Sequence, residues 1–479
     1  MPPIVALTLT VTFIVLLLWR DSIQYPEKDN ALWIPVIWLL INGSRPVAAW
    51  MAIFGLSDGG GESLEDGTPS DRIFFFGLLF LGLCVLKARK IDLAYLAANN
   101  PWIAAFLLYS VVSIAWSDFP FVALKRWLKV LTIPVMTLIV MTEPNLYRAL
   151  VKVMKWASYI IIPVSILFIK YYPEWGKSYN EWTGEAMFGG VTLNKNTLGY
   201  MCLIFGYFYI WYLIDLLKGA NVDKRVTEIL LSIGFLVMIG WLFSIANSKT
   251  PMGALGVGLC VMLVLESRSV TEHFGKCVLV IIVVLGTLEL TFGLYGRLIE
   301  LMGRDPTLTD RTLVWHDVLN VDNNALVGTG FESFWLGKRR LMLWEKWHFG
   351  PTQAHNGYIE MYINLGWVGV IILAGMILNA YQTIRRELDC GMSIARFKMG
   401  LFFTILVYNY TEATFRGLHP VWFVFYLIGL DYPTESDPHA IMSDNGSEAD
   451  SESTCEPVSA VLGMHGGAGS ACPVASRVL

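Results

Sequence analysis

The sequence predicts an all-α polytopic membrane protein with about twelve to thirteen transmembrane helices. Of its 479 residues, 55% are hydrophobic and only 15% are charged, which is too apolar and too poor in charge for a soluble globular chain. Apolar stretches of about 17 to 25 residues, the length that a bilayer core requires, recur along the sequence. We place them near residues 3–19, 31–54, 72–86, 102–117, 121–141, 151–170, 197–215, 229–246, 251–265, 277–296, 357–384, 399–416 and 420–430.

The distribution of basic residues predicts the orientation of these helices, because short loops rich in Lys and Arg stay on the cytoplasmic side. If the chain crosses the membrane thirteen times, the basic loops all lie on the same side of the membrane. They lie around Arg20, 87–90, 148–155, 218–225 and 385–386. The loops 55–71, 171–195 and 297–356 then face the other side, which is the periplasm in a diderm bacterium.

Four regions follow from this pattern. Residues 1–296 hold about ten transmembrane helices, 297–356 form a long periplasmic loop, and 357–430 hold the C-terminal helices. Residues 431–479 are acidic, rich in Ser and Gly and poor in large apolar side chains, so we predict a disordered cytoplasmic tail. The net charge of -4 argues neither for nor against nucleic acid, because the charges are scattered through loops rather than gathered in a basic stripe. We expect the lipid bilayer, and no nucleic acid, as a partner.

The long loop is the one extramembrane segment with room for a functional site. Thr309 or Asp310 can cap a short amphipathic helix that begins near Arg311. Arg311, Trp315 and Leu319 share one face of that helix. The loop therefore presents an arginine at the start of a helix, next to the membrane.

A histidine and several polar residues stand where the loop enters the next span, in QAHNGYIEMYINLGWVG (353–369). His355 lies just before the helix, and Asn356, Glu360 and Asn364 share a face at i, i+4 and i+8. Such groups are costly in lipid, so they should point into the bundle or into a wet cavity. The alternative is that they only hold helices together, which we consider more applicable to Asn364 than to His355.

Two further outer-face segments place a lysine at a predicted helix start. Lys195 and Asn196 stand in LNKNTLG, and Lys249 precedes Thr250 and Pro251 in SKTPMGAL, where threonine can cap the helix and proline can take its first position. The macrodipole and the unpaired N–H groups of a helix start favour an anion, although such a lysine can also simply reach the interface. Together with Arg304 and Arg311, these lysines give four cations on one face, which suggests a bound oligoanion.

Several motifs, in order, carry a resemblance to a known family. They are WSDFPFVALKRWLK (116–129), LNKNTLG (193–199), the SKT turn, RDPTLTDRTLVW (304–315), GTGFESFW (328–335) and AHNGYIEMYINLGWVG (354–369). The sequence resembles the O-antigen ligase and polymerase superfamily, within it the exopolysaccharide-production branch that is similar to the succinoglycan polymerase. The resemblance covers most of residues 30–430.

The resemblance implies glycosyl transfer at the periplasmic face of the bacterial inner membrane, from a glycan linked to undecaprenyl diphosphate, without a nucleotide sugar, cofactor or metal. The family's signature pair, an arginine in the large outer loop and a histidine at the next span, corresponds to Arg311 and His355, which we predict to be catalytic. We expect diphosphate binding by Arg304, Lys195 and Lys249, with Asn356, Glu360 and Asn196 in supporting roles. The SKT turn departs from the pattern, since many relatives carry arginine there, and lysine cannot grip phosphate bidentately.

The residues fit that chemistry. Cations stabilise a diphosphate leaving group, and a neutral imidazole can take a proton from the acceptor hydroxyl. The outer-face carboxylates show no spacing typical of a metal site. A permease or flippase, and a structural or sensory protein, remain as alternatives, but transporters tend to place ionisable groups at the bilayer midplane rather than at its outer edge.

Within the enzyme class, a polymerase and a ligase share the donor and differ in the acceptor. The acceptor is a growing lipid-linked glycan for a polymerase and lipid A core for a ligase, and the motifs favour the polymerase. Other polysaccharide-assembly proteins are further partners that the family implies.

Overall fold

The regular structure of the described residues is helical apart from one short hairpin, in which Lys177–Tyr179 (β1) pairs antiparallel with Ala186–Phe188 (β2). The computed structural model describes residues 1–24, 30–56, 67–179, 184–218, 225–292, 311–347, 350–390 and 392–432. Only the first two residues of the predicted tail 431–479 fall within these ranges. The rest of the tail lies outside the described residues.

The helices up to the hairpin are α1 (Pro3–Gln24), α2 (Trp33–Asn42), α3 (Val47–Ile53), α4 (Pro69–Ala88), α5 (Leu93–Asn99), α6 (Pro101–Val112), α7 (Pro120–Val130), α8 (Thr132–Met141), α9 (Leu146–Tyr171) and α10 (Pro173–Gly176), with a 3₁₀ turn at Ser113–Trp116 after α6. After the hairpin come α11 (Lys195–Lys218), α12 (Arg225–Ala246), α13 (Lys249–Val264), α14 (Arg268–Glu272), α15 (Phe274–Phe292), α16 (Arg311–Asn320), α17 (Gly337–Lys346), α18 (Gly357–Asp389), α19 (Ser393–Thr411) and α20 (Pro420–Gly429).

The predicted fold class, an all-α polytopic membrane protein, is confirmed. Among the described residues, five helices are long and apolar enough to cross a membrane, namely α1, α9, α11, α12 and α18. Two bent pairs raise this number to seven if each pair is one span. Shorter apolar helices, α13 and α20, accompany them. The count of twelve to thirteen spans exceeds what this length criterion gives, and the additional spans stay a prediction.

Prolines explain why some apolar segments fold as bent pairs rather than as single straight helices. The segment 31–54 was predicted as one span, but α2 and α3 meet at 76° on either side of Gly43-Ser44-Arg45-Pro46. Similarly, α5 and α6 meet at 103°, with Asn100 outside the helical region and Pro101 at the first position of α6. Proline disfavours the helical conformation in the residue before it, so neither helix continues through Arg45 or Asn100: α2 ends at Asn42 and α5 at Asn99.

A buried ion cluster joins α1, α9 and α12. Lys155 Nζ lies 3.1 Å from Asp21 Oδ2 and 3.1 Å from Glu228 Oε2, and Arg20 donates to Glu228 Oε1 at 2.6 Å. Two acids and two bases are thus paired, as buried charges must be. The cluster lies at the ends of these helices that we predict to be cytoplasmic, so we interpret it as structural.

The segment 311–347 is fixed to the first half of α18 by main-chain pairing. Gly366 has a non-helical conformation (φ 64°, ψ -163°), which opens α18 where a straight span was predicted. Thr329 N and Gly330 N donate to the carbonyls of Ile363 (3.1 Å) and Asn364 (2.9 Å) on one side of this break. On the other side, Trp367 N donates to the carbonyl of Ala325 (2.9 Å).

Asn364 reinforces this attachment with its side chain. Its Oδ1 accepts from Ser333 N at 3.0 Å and from Phe334 N at 3.2 Å, and its Nδ2 donates to the Glu360 carbonyl at 2.9 Å. These contacts match the anchoring role that we considered for Asn364 in the sequence.

The break at Gly366 leads to a stability prediction. A Cβ at this position would lie 2.2 Å from the Leu326 carbonyl oxygen, and the substituted residue would have to adopt the positive φ of Gly366. We expect Gly366→Ala to destabilise the fold by at least ~1–2 kcal/mol and to lower the thermal unfolding midpoint of the detergent-purified protein. Gly234→Ala is the control, because a Cβ there meets nothing within 4 Å and Ala favours a helix. Equal midpoints for Gly366→Ala and the wild type would show that the break is not required.

Candidate functional site

A polar cavity of about 270 Å³ lies where several helix ends meet. Its lining residues are Lys195, Asn196, Asn247, Ser248, Lys249, Thr250, Arg311, Val314, Ala354, His355 and Glu412. The structure thus brings together five of the predicted site residues, Lys195, Asn196, Lys249, Arg311 and His355. Arg304 lies outside the described residues, as do Thr309 and Asp310, the predicted caps. Asn356 and Glu360 do not line the cavity.

Two of the cavity's cations stand at the first positions of helices, and the third lies in the first described turn of another helix. Lys195 begins α11, Lys249 begins α13, and Arg311 is the first described residue of α16. Asn194 caps α11, because its Oδ1 accepts from Thr197 N at 2.8 Å. The positive ends of two helix dipoles, those of α11 and α13, therefore lie in a cavity with three cationic side chains, an arrangement that favours a multiply charged anion.

The start of α13 differs from the prediction. Ser248 rather than Thr250 precedes the helix, and Pro251 is its third residue instead of its first. Asn247 adopts a left-handed conformation (φ 45°) that turns the chain out of α12. The earlier start is allowed because N–H groups in the first helical turn have no intrahelical partner, so a proline there costs little.

A carboxylate that the sequence analysis missed joins the two predicted catalytic residues. Arg311 Nη2 donates to Glu412 Oε1 at 2.8 Å, and His355 Nδ1 lies 3.2 Å from Glu412 Oε2. Arg311 also donates through Nη1 to the Thr411 carbonyl. A signal was present in the sequence: Glu412 is an acidic residue inside the apolar segment 399–416, and ionisable residues in such segments are rare and tend to be functional.

The position of Glu412 is set by the turn after α19. Asn409 Oδ1 accepts from Thr414 Oγ1 at 2.8 Å and from Phe415 N at 2.9 Å, which closes the turn. The turn also touches the start of α18, since a Cβ at Gly357 would lie 1.9 Å from Asn409 Oδ1. Glycine at 357 therefore allows the close approach that brings Glu412 to His355.

Glu412 is ionised at neutral pH. Burial raises the pKa of its carboxyl, but the hydrogen bond with His355 and the charge of Arg311 act in the opposite direction and hold that pKa below its ordinary value. The stability that this carboxylate contributes is present above its ordinary pKa and is lost as the pH falls through the lowered one. The cavity thus has a fixed anion between its arginine and its histidine.

His355 is held in an uncommon backbone conformation, with φ 51°. On one side of it, Ala354 N donates to Glu360 Oε1 at 2.6 Å, and Trp335 Nε1 donates to the same oxygen at 3.0 Å. On the other side, Asn356 caps α18 by accepting from the main-chain N–H of residue 358 at 2.9 Å. Glu360 and Asn356 therefore support His355 through the backbone. Among the described residues, the carboxylate that faces the imidazole is Glu412, and the ring has no hydrogen bond to Asn356, Glu360 or Asn196.

The helix α16 packs against the same region. Trp315 Nε1 donates to the Ala354 carbonyl at 2.7 Å, and its ring meets that of Tyr410 edge-on with centroids 5.6 Å apart. Leu319, predicted on the same face, is exposed. The contacts of Trp315 thus tie the helix that begins with Arg311 to the residue before His355.

The cavity's chemistry is that of an anion site beside a histidine. Among the residues that the structure describes, the Lys195 ammonium has no hydrogen-bond or ion-pair partner, so its charge is available to a ligand. Within the same described ranges, no group of three or more His, Cys, Asp or Glu residues could hold a metal ion. Metal independence nevertheless stays a prediction.

A polytopic membrane protein with a cationic cavity at one end of its helix bundle is suited to bind an anion that is linked to a lipid. A family model described as O-antigen ligase matches residues 233–374, which include Lys249, Arg311 and His355. The chain is also 26% identical over 320 residues to the exopolysaccharide production protein ExoQ of Rhizobium meliloti (strain 1021), a match that covers 64% of this chain and 69% of that protein. These findings confirm the resemblance to the O-antigen ligase superfamily and its exopolysaccharide-production branch, and they support a membrane function of the ligase and polymerase type.

Proposed function

We propose that this protein transfers a glycan from undecaprenyl diphosphate to a saccharide hydroxyl at the periplasmic face of the bacterial inner membrane, as a polymerase of exopolysaccharide or O-antigen. The observation that carries the proposal is the cavity itself. It places Lys195 and Lys249, each at a helix start, and Arg311 in one cavity with His355. A diphosphate needs concentrated positive charge, and an attacking hydroxyl needs a base; the cavity supplies both.

The proposed reaction is a single displacement with inversion at the anomeric carbon. The acceptor hydroxyl oxygen forms a bond to that carbon while the bond from the carbon to the diphosphate oxygen breaks. The hydroxyl proton passes to the ring nitrogen of His355 that does not face Glu412. Undecaprenyl diphosphate leaves with the negative charge, which the cations stabilise more strongly in the transition state than in the ground state. The mechanism requires neither metal nor cofactor.

The ends of the helices support the periplasmic orientation of this cavity. Lys195 and Lys249 stand at the start of α11 and α13, and Glu412 follows the end of α19. The opposite ends of neighbouring helices carry basic residues, Lys218 at the end of α11 and Arg386 in the last turn of α18. Because basic residues are retained in the cytoplasm, the cavity belongs on the other face.

A deletion in the native host tests the proposal and separates polymerase from ligase. Loss of long exopolysaccharide with retained single repeats is the result expected for a polymerase. Free lipid-linked chains together with bare lipopolysaccharide core would indicate a ligase with lipid A core as the acceptor. An unchanged glycan profile, in a host without a redundant homologue, would contradict both.

The two lysines of the cavity are expected to act in binding rather than in chemistry. Each stands at a helix start where the backbone supplies part of the anion site whatever the side chain. Lys195→Ala and Lys249→Ala should each raise the apparent KM for the lipid-linked donor by about tenfold, ~1.4 kcal/mol, and lower kcat less.

Lys177→Ala is the matched control for these variants, because Lys177 lies in the β-hairpin, with its ammonium 5.4 Å from the centroid of the Phe188 ring, and does not line the cavity. It should leave KM unchanged. A loss confined to kcat in either cavity variant would contradict a binding role.

A further inference from the structure

The contact between His355 and Glu412 determines which ring nitrogen carries the proton. An ionised carboxylate can only accept hydrogen bonds, so a neutral imidazole that contacts it through Nδ1 must carry its hydrogen there. The 3.2 Å separation of His355 Nδ1 and Glu412 Oε2 therefore favours the tautomer in which Nε2 holds the lone pair. The Gln353 amide nitrogen is a competing donor 3.4 Å from Nδ1, but it is neutral and more distant than the Glu412 carboxylate, whose charge makes the stronger hydrogen bond.

We propose that Glu412 is a positioning residue that fixes His355 as the Nδ1–H tautomer and links it to the diphosphate site through Arg311. This inference rests on the proposed function and adds a residue that lies outside the segment matched by the family model, 233–374. After proton transfer the same carboxylate faces an imidazolium and stabilises it. An aspartate serves a histidine base in this way in the catalytic triads of hydrolases.

The two carboxylate oxygens divide these tasks. Oε2 faces His355 and Oε1 accepts from Arg311, while the Arg311 Nη1 donates to the Thr411 carbonyl. A guanidinium has five N–H donors, so about three remain for a phosphate. Glu412 thus orients Arg311 and leaves N–H donors of its guanidinium for a phosphate. Because Glu412 contacts both His355 and Arg311, it sets the geometry between the base and the leaving group.

The burial of Glu412 makes this link rigid. The residue is 8% exposed, and its turn is closed by Asn409. The other charged groups that line the cavity are Lys195 on α11, Lys249 on α13 and Arg311 on α16, and all are cationic. Glu412 is the only anion among the cavity's described lining residues, so its removal leaves the His355 imidazole facing positive charge alone.

The pH dependence of the rate distinguishes this role from a purely structural one. We expect Glu412→Gln to lower kcat by about 10²- to 10⁴-fold, as for the loss of a carboxylate that holds a histidine base. The acid limb of the pH profile should move to lower pH, because an imidazolium without its carboxylate forms less readily. The KM for the lipid-linked donor should change little, and Glu412→Asp should recover part of kcat together with the position of the acid limb.

Glu387→Gln is the matched control for Glu412→Gln, because Glu387 pairs with Lys398 at 2.5 Å near the other end of the α18 and α19 pair. It removes one carboxylate from an ion pair away from the cavity and should leave kcat and the pH profile unchanged. A profile for Glu412→Gln that keeps its acid limb, whatever the loss in rate, would overturn the positioning role.

A second measurement needs no activity. The ¹⁵N spectrum of histidine-labelled protein in detergent reports which ring nitrogen is protonated, and the signal that disappears in His355→Gln identifies His355. The wild type should show Nδ1–H, and Glu412→Gln should show loss of that preference. An Nε2–H signal in the wild type would overturn the inference. Absence of glycosyl transfer in the wild type would contradict the proposed function instead, and the tautomer would still be tested.

Discussion

Replacing His355 with alanine is expected to lower kcat by about 10²- to 10⁴-fold, the usual contribution of a general base. The KM for the lipid-linked donor should stay within about threefold, since the cations of the cavity are unchanged. The physical reason is that His355 is the proposed base, with one ring nitrogen facing Glu412 and the other able to take the acceptor proton. A reconstituted assay with varied donor measures both constants.

Two further variants separate proton transfer from hydrogen bonding and from backbone strain. His355→Gln can hydrogen-bond but cannot carry the proton, so it should be nearly as inactive as the alanine variant. His355→Asn suits the positive φ at this position, and it should also be inactive. His316→Gln, at an exposed histidine of α16, is the control and should keep full activity. A wild-type rate for His355→Gln would show that His355 acts only as a hydrogen-bonding residue.

Replacing Arg311 with either lysine or alanine is expected to lower product formation by about 10²-fold or more while leaving the amount of protein in the membrane near normal. Arg311 reaches the Thr411 carbonyl and Glu412 from two nitrogens and must still hold a phosphate. An ammonium is a point charge with three donors and cannot make this planar set of contacts.

Arg339→Lys is the control for the Arg311 variants. Arg339 pairs with Asp118 at 2.5 Å in the same outer segment but does not line the cavity, so the lysine variant should remain active. Full activity of Arg311→Lys would remove the argument from guanidinium geometry. Loss of the Arg311 variants from the membrane would instead indicate that the arginine holds the fold together.

Local patterns in the sequence were sufficient to predict the fold class. They also predicted that Lys195, Lys249 and Arg311 lie at one site, as the cavity shows. Composition and apolar length predicted the membrane helices. The segments LNKNTLG and SKTPMGAL predicted helix starts near Lys195 and Lys249, the second within two residues of its observed position. Bends were harder to predict. The break at Gly366 arises because main-chain groups of 325–330 pair with α18, and no periodicity reports that pairing.

Glu412 could not be predicted because its place in the site depends on tertiary contacts. Glu412 lies 57 residues from His355 and 101 from Arg311 in sequence, so no spacing rule connects them. Glu360 was chosen because it follows His355 on the same helix. Its carboxylate instead binds Ala354 N and the Trp335 indole. The helical wheel shows which residues share a face of α18, but not that the turn after α19 presents a carboxylate to His355.

Transfer of a glycan from a lipid diphosphate can be measured with the purified protein in vesicles. The assay contains undecaprenyl-diphosphate-linked glycan as the sole substrate and EDTA, and it contains no nucleotide sugar. We expect the wild type to release free undecaprenyl diphosphate in equal amount to new glycosidic bonds, and His355→Gln to form neither product. Movement of the lipid-linked glycan across the membrane without bond formation, or no release of the lipid diphosphate, would contradict the proposed transfer.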